Sequence, residues 1–183
     1  YDLMSDSLRR LTTDAYADLQ PSWSPDGKRI AFVTDRYTTK LPELAFGAYG
    51  LALLDPASGS MERLQTFDEA KNINPQWAGD GRTLYFVADP FGIPNVFALD
   101  VTARSVRQIT NLDTGVSGIT DISPALSVAT GMRRIAFSVH DIRRPTVYIS
   151  DSATVLAGDR PVATWSDVSA AALPPQRRAS TEL

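Results

Sequence analysis

Three oxygen-bearing side chains recur at one place in this chain: Asp18, Asn72 and Asp121 each stand three residues before a proline, at Pro21, Pro75 and Pro124. If the segments carrying them are equivalent, they form an arc of two carboxylates and an amide at one mouth of a central channel. Two carboxylates in a confined opening set up a negative potential that draws a lysine or arginine of a partner, or a hard cation such as calcium. Calcium takes about 6–8 oxygens, so three are too few alone, and a protein or peptide partner is the better fit. The competing reading is local, because Asp and Asn side chains routinely accept hydrogen bonds from nearby backbone amides and cap their own loops.

Other chemistry finds little support. The chain has no cysteine and one histidine, which excludes disulfides, thiol nucleophiles and the common zinc sites. Gly115-Val116-Ser117-Gly118 has the outline of a nucleophile elbow, but the second glycine must follow the serine by two positions, where Ile119 stands. His140 is expected as a solvated turn residue. No hydrolase site can be assembled within these residues, and no catalytic residue, metal site or cofactor is assigned. The formal net charge of -3, from 18 basic and 21 acidic residues, leaves no basic stripe for a phosphate backbone, so no nucleic-acid partner is expected. No apolar run reaches the roughly 20 residues that cross a bilayer, so no membrane insertion of this segment is expected.

The elements that must position these side chains come from an internal repeat. Leu11-Thr12 leads to Pro21-Ser22-Trp23-Ser24-Pro25-Asp26-Gly27 and then Ile30-Ala31-Phe32-Val33. The second copy reads Pro75-Gln76-Trp77-Ala78-Gly79-Asp80-Gly81 and Leu84-Tyr85-Phe86-Val87, and a decayed third reads Pro124-Ala125-Leu126, Gly131 and Ile135-Ala136-Phe137. The prolines are 54 and then 49 residues apart, and the excess in the first copy falls in a loop over 37–47. Each copy predicts four short strands: 21–24, 28–34, 49–55 and 61–64 in the first, and 74–78, 82–88, 95–100 and 105–110 in the second. The strand cores are apolar on both faces instead of alternating, as in Ile30-Ala31-Phe32-Val33 and Val96-Phe97-Ala98-Leu99, which suits strands covered on both sides. No amphipathic helical segment lies between them to build a parallel α/β sheet.

The predicted fold is therefore all-β, a β-propeller fragment of about three four-stranded antiparallel blades from a larger, six-bladed or similar, propeller. The organisation is 1–12 as the last strand of a preceding blade, 13–64 and 65–110 as blades, 111–159 as a degenerate blade and 160–183 as a linker or tail. Such a fragment leaves sheet edges open, and self-association of the isolated chain is expected from them. The repeated Trp23 and Trp77 are expected to pack between adjacent blades.

The run Leu11-Thr12 through Pro21-Ser22-Trp23-Ser24-Pro25-Asp26-Gly27-Lys28-Arg29-Ile30-Ala31-Phe32-Val33-Thr34-Asp35-Arg36 resembles the WD-like repeat of the TolB-type bacterial propellers. The likeness covers roughly residues 1–151. It is strongest in the first copy, good in the second apart from Gly79, where the family usually has proline, and weak in the third, where Asp-Gly is missing. The resemblance implies a bacterial propeller, periplasmic or otherwise exported, that makes protein contacts at its channel mouth or rim, together with neighbouring blades or domains of a parent chain. Similar repeats occur in propeller domains of prolyl-oligopeptidase-like and tricorn-like peptidases. The second function the resemblance implies is thus a gating or accessory domain whose catalytic residues lie outside this chain.

Overall fold

The computed structural model describes residues 3–117, 125–141, 144–150 and 160–162. The first sheet runs β1 (Asp18–Trp23), β2 (Ile30–Thr34), β3 (Gly50–Leu54), β4 (Met61–Leu64), each antiparallel to the next. The second runs β5 (Asn72–Trp77), β6 (Thr83–Ala88), β7 (Asn95–Asp100), β8 (Ser105–Gln108). The third has three described strands, β9 (Leu126–Ala129), β10 (Arg134–Asp141) and β11 (Arg144–Ser150). A 3-10 turn at Leu41–Glu43 is the helical content among the described residues. The architecture is the expected all-β stack of antiparallel blades.

Two terminal segments differ from expectation. Residues 3–12 form turns and coil with a single bridging residue, Ser7, in place of a strand. Ser7 alone is bridged, and side chains hold the rest of the segment. Arg9 donates to the Pro56 carbonyl at 2.6 Å, and Asp14 pairs with Arg36 at 2.9 Å, so residues 9–14 run along one face of the first sheet. At the other end β12 (Arg160–Val162), at the start of the expected tail, adds to the outer edge of β8. Strand addition uses main-chain groups, so a segment without strand periodicity can still join an open edge.

The core lies between the sheets. β2 is buried at all five residues, and β6 and β7 are buried at all but one end. Ala31, Val33, Leu51 and Leu53 face the second sheet and share one cluster with Phe86, Phe97, Leu84 and Leu99, while Ile30, Phe32, Ala52 and Leu54 form a separate cluster on the opposite face. Phe67, from the connection between the sheets, meets Phe97 edge-on at 4.9 Å and Phe86 at 6.3 Å.

The innermost strands begin earlier than the sequence predicts, by three residues in the first sheet and two in the second, because each carries a bulge just before its repeat proline. Pairing shifts between Leu19 and Ser22 and again between Ile73 and Gln76, with Gln20 (φ 49°) and Asn74 (φ 56°) in the left-handed region. The bulge breaks the ladder at the residue without an N–H, so Pro21 and Pro75 sit in a strand at no cost in lost pairing. It also joins blades. Asn74 N–H donates to Gln20 Oε1 at 2.7 Å, and the Trp77 indole N–H donates to Ser22 O at 3.2 Å, with the Arg29 guanidinium 5.3 Å from the Trp77 ring. Trp77 is 2% exposed, but Trp23, expected to pack likewise, is 57% exposed, because no described sheet lies on its side.

The hairpin turns rest on aspartates. Asp26 accepts from the Ser24 hydroxyl and Lys28 N–H, and Asp80 from Arg82 N–H, Thr83 N–H and the Thr83 hydroxyl, with Gly27 and Gly81 at positive φ. Asp100 accepts from Arg82 at 2.7 Å and from the N–H groups of Thr102 and Ala103. Arg82 first, then these amides, hold the Asp100 carboxyl at about 2. At Gly79 an added Cβ would lie 2.3 Å from the Thr130 carbonyl oxygen, so the turn of the third sheet comes too close for any side chain there. The equivalent position of the first copy holds Pro25, whereas here only glycine fits without a shift.

Two outcomes follow for stability. Gly79→Ala, or Gly79→Pro as in the first copy, should lower the melting temperature, at a cost of about 1–3 kcal/mol for the forced shift. The Asp100 interaction stabilises the fold above its unfolded-state pKa of about 4 and is lost as pH falls toward about 2. Because Arg82 is 57% exposed, solvent screening keeps this contribution small. Thermal melts of Asp100→Asn should show a deficit at neutral pH that closes as pH falls through that window.

Candidate functional site

The strand pairings Asp18↔Thr34↔Gly50 and Asn72↔Ala88↔Asn95 bring the starts of β1 and β5 to the same end of the blades as the β2–β3 and β6–β7 connections. Asn72 N–H donates to Tyr49 O across the two sheets, so this end is continuous. Here the sequence places its candidate arc.

Asp18 opens β1, and both its oxygens accept from Arg36 Nη2, at 2.7 and 2.9 Å. The same guanidinium bonds Asp14 and lies 5.8 Å from the Tyr16 ring and 5.7 Å from Phe32. Burial alone would lower the Arg36 pKa, but hydrogen bonds and charge from Asp18 and Asp14 hold it above its ordinary value. The result is a fixed cluster in which one guanidinium engages both carboxylates, leaving a formal charge of -1.

Asn72 corrects the expectation outright. It is 1% exposed, and its amide N–H groups are shared among the carbonyls of Phe67, Ala70 and Tyr49, while its Oδ1 accepts from Phe67 N–H. Nothing of the side chain remains for a ligand; it closes the 67–71 turn that carries Phe67 into the core. The physical reason is the earlier strand start: Asn72 lies within β5, between two sheets, where a polar group must be bonded internally. Asp121 lies outside the described residues, so the structure brings together two of the three positions, and only Asp18 is near solvent.

Sequence reasoning missed a second repeated pair. Asp35 Oδ1 accepts from Ala17 N–H at 2.9 Å, and Asp89 Oδ1 accepts from Lys71 N–H at 2.8 Å. These carboxylates tie each entering segment to the end of its second strand. They lie 54 residues apart, the spacing of the first two prolines, and that coincidence was the available signal. His140 lies in β10 opposite Pro145, exposed, not in a turn.

A further feature at this end is the 37–47 loop. Its base is cinched: Thr39 hydroxyl donates to Asp35 Oδ2 at 2.6 Å and accepts from Gly47 N–H, and Thr38 hydroxyl donates to Ala48 O. Gly47 is required, since a Cβ there would lie 2.3 Å from Thr38 Oγ1. Above the base Lys40 and Ala45 bridge each other around the 3-10 turn, and Leu44 takes φ 51°, an uncommon conformation for a non-glycine residue. This geometry leaves Leu44 78% and Phe46 81% exposed. The corresponding connection in the second sheet needs only the residues between Ala88 and Asn95. Among the described residues no group of three or more His, Cys, Asp or Glu side chains could hold a metal ion.

Comparison with known proteins agrees with the repeat. No family model matches the chain. A TolB homologue of Chlorobium luteolum is 30% identical over 136 residues, covering 55% of this chain and 30% of that protein. Among solved structures, TolB from Acinetobacter baumannii matches 82% of this chain and 34% of its own, with a TM-score of 0.66 at 19% identity. A puromycin-hydrolyzing peptidase of Mycobacterium tuberculosis matches 80% of this chain and 22% of its own, with a TM-score of 0.62 at 17% identity. The chain thus spans under a third of the curated relatives it matches.

Replacing Asn72 by Ala should strand the Phe67 amide and the carbonyls that its side chain serves, lowering stability by about 1–3 kcal/mol. Chemical denaturation of the variant beside Asp18→Ala checks this, with Asn72→Ala expected to be the more damaging of the two.

Proposed function

We propose that this run of TolB-type propeller blades is a non-catalytic protein-binding module of an exported bacterial protein, docking a protein or peptide at the rim where β1 and β5 begin. The observation that carries this reading is the inserted loop: a rigid base holds Leu44 and Phe46 in water, in a strained backbone the fold does not need. Exposed large apolar side chains on an ordered support mark contact sites more often than scattered surface leucines do. Lys40 and Glu43 of the loop pair with each other at 3.6 Å, so its charge is neutral and an apolar partner surface suits it. Asp14, Asp18 and Arg36 form the polar flank of the same end, and Asn72 supports it from below. Asp121, the third position of the channel-mouth arc, belongs to this proposal beside Asp18. The TolB resemblance supports export to the periplasm.

A second reading has a specific basis in the peptidase neighbour: a propeller domain serving a catalytic domain elsewhere in a longer chain. Both readings give the chain itself no catalytic residues.

Two measurements test the proposal. Capture of a partner by the parent protein should fall at least tenfold in Leu44→Ser/Phe46→Ser while the melting temperature stays unchanged, since neither side chain is buried. Unchanged capture would remove the loop from the binding surface. The purified chain should give no turnover of peptide or ester substrates, and turnover abolished by a point substitution within it would overturn the non-catalytic reading.

A further inference from the structure

We propose that the outer edge of the first sheet binds an extended peptide of a partner protein. The peptide adds as a strand antiparallel to β4, with an acidic residue opposite Arg63 and a branched apolar residue opposite Met61. The second sheet shows the arrangement on this same chain. There β12 lies antiparallel on the outer edge of β8, with Arg160 opposite Gln108, Pro161 opposite Arg107 and Val162 opposite Val106. The outer strand of the first sheet is built alike. Leu54↔Met61 and Leu99↔Val106 flank equivalent turns opened by Asp55 and Asp100, so Met61, Glu62 and Arg63 correspond to Val106, Arg107 and Gln108. Among the described residues β4 pairs with β3 alone.

The hairpin fixes which main-chain groups face the edge. Asp55 N–H donates to Ser60 O at 2.9 Å, so Ser60, Glu62 and Leu64 turn their backbone groups toward β3, and Met61 and Arg63 turn theirs outward. The corresponding Val106 and Gln108 are the residues that face Val162 and Arg160 in the second sheet. Pro161, between those two, has its nitrogen on the side away from β8, where a missing N–H costs nothing. Side chains then set the preference. Met61 packs against Ile30, Phe32, Ala52 and Leu54, so a branched apolar residue opposite it extends an apolar face. Arg63 is an exposed cation where β8 has the neutral Gln108, so the place that β12 fills with arginine favours a carboxylate here. Arg63 already meets Asp68 at 2.7 Å, but a guanidinium has donors for a second carboxylate, as Arg36 shows with Asp14 and Asp18 in the same sheet. The occupant is a foreign peptide, because β12 of a second copy would set its arginine against Arg63.

Isothermal titration of the 183-residue chain with a synthetic heptapeptide centred on Glu-Pro-Val should show saturable binding to one site. The same peptide with Arg in place of Glu should bind about fivefold more weakly. Arg63→Glu should reverse that order, with circular dichroism confirming unchanged folding, since the side chain is exposed. N-methylation of the peptide's Glu and Val amides, the two that face β4, should weaken binding by about tenfold. Leu44→Ser/Phe46→Ser should leave it unchanged. The proposal is overturned by absence of binding at millimolar peptide, as expected if another segment occupies this edge, or by an Arg63→Glu variant that keeps the wild-type order. Indifference to N-methylation, or loss of binding in the loop variant, would overturn it equally.

Discussion

The central strands of the second sheet are apolar on both sides, and the whole stack is organised by the need to keep both sides dry. Phe86 and Phe97, paired on one face, are fully buried, and so are Val87 and Val96, paired on the other, which a sheet with one wet face would not allow. The first sheet supplies one cover and the third begins the other, with Val116, Leu126, Ile135 and Phe137 in the same cluster. Each blade is thus incomplete without its neighbours. The 67–71 turn, with Asn72 beneath it, fills the space between the first two sheets where strand residues alone would leave a gap.

This dependence explains how much could be read from the chain. Strands β4 and β7 fall on their predicted residues because their turns, Pro56 to Gly59 and Pro90 to Gly92, punctuate the sequence on either side. The Asp-Gly hairpins are equally plain. The bulges were hidden, since nothing in the types of Gln20 and Asn74 demands a left-handed backbone; it is imposed by the approach of the next blade. The same holds for Asn72, whose residue type fits a channel mouth and a buried cap equally well, and whose placement was decided by Phe67, Ala70 and Tyr49. Trp23 and Trp77 are alike in sequence and opposite in exposure, because burial here belongs to the pair of sheets and not to the residue.

The candidate surface divides along similar lines. Its polar part, Asp14, Asp18 and Arg36, is internally paired and positions the entering segment as much as it could meet a ligand. Its apolar part is supplied by an insertion, visible in the sequence only as excess length. Loops that depart from a repeat are free of the packing that fixes the rest, which is why they can take on recognition without disturbing the blades. The repeated Asp35 and Asp89 show the converse: conserved spacing inside the chain, spent on holding connections in place.

The side-chain bridge from Gln20 to the Asn74 amide has a mechanical consequence. Apolar faces resist separation but offer little resistance to sliding, because dispersion contacts have no preferred direction. A hydrogen bond of 2.7 Å between adjacent inner strands does have one. Placed at the bulge, near the axis about which the blades are arranged, it acts as a dowel: it fixes how far one blade is shifted along that axis relative to the next. Shear applied to the rim, such as a pull on the 37–47 loop, is then transmitted across the inner strands as a load on the whole stack instead of being relieved by slip between two greasy sheets.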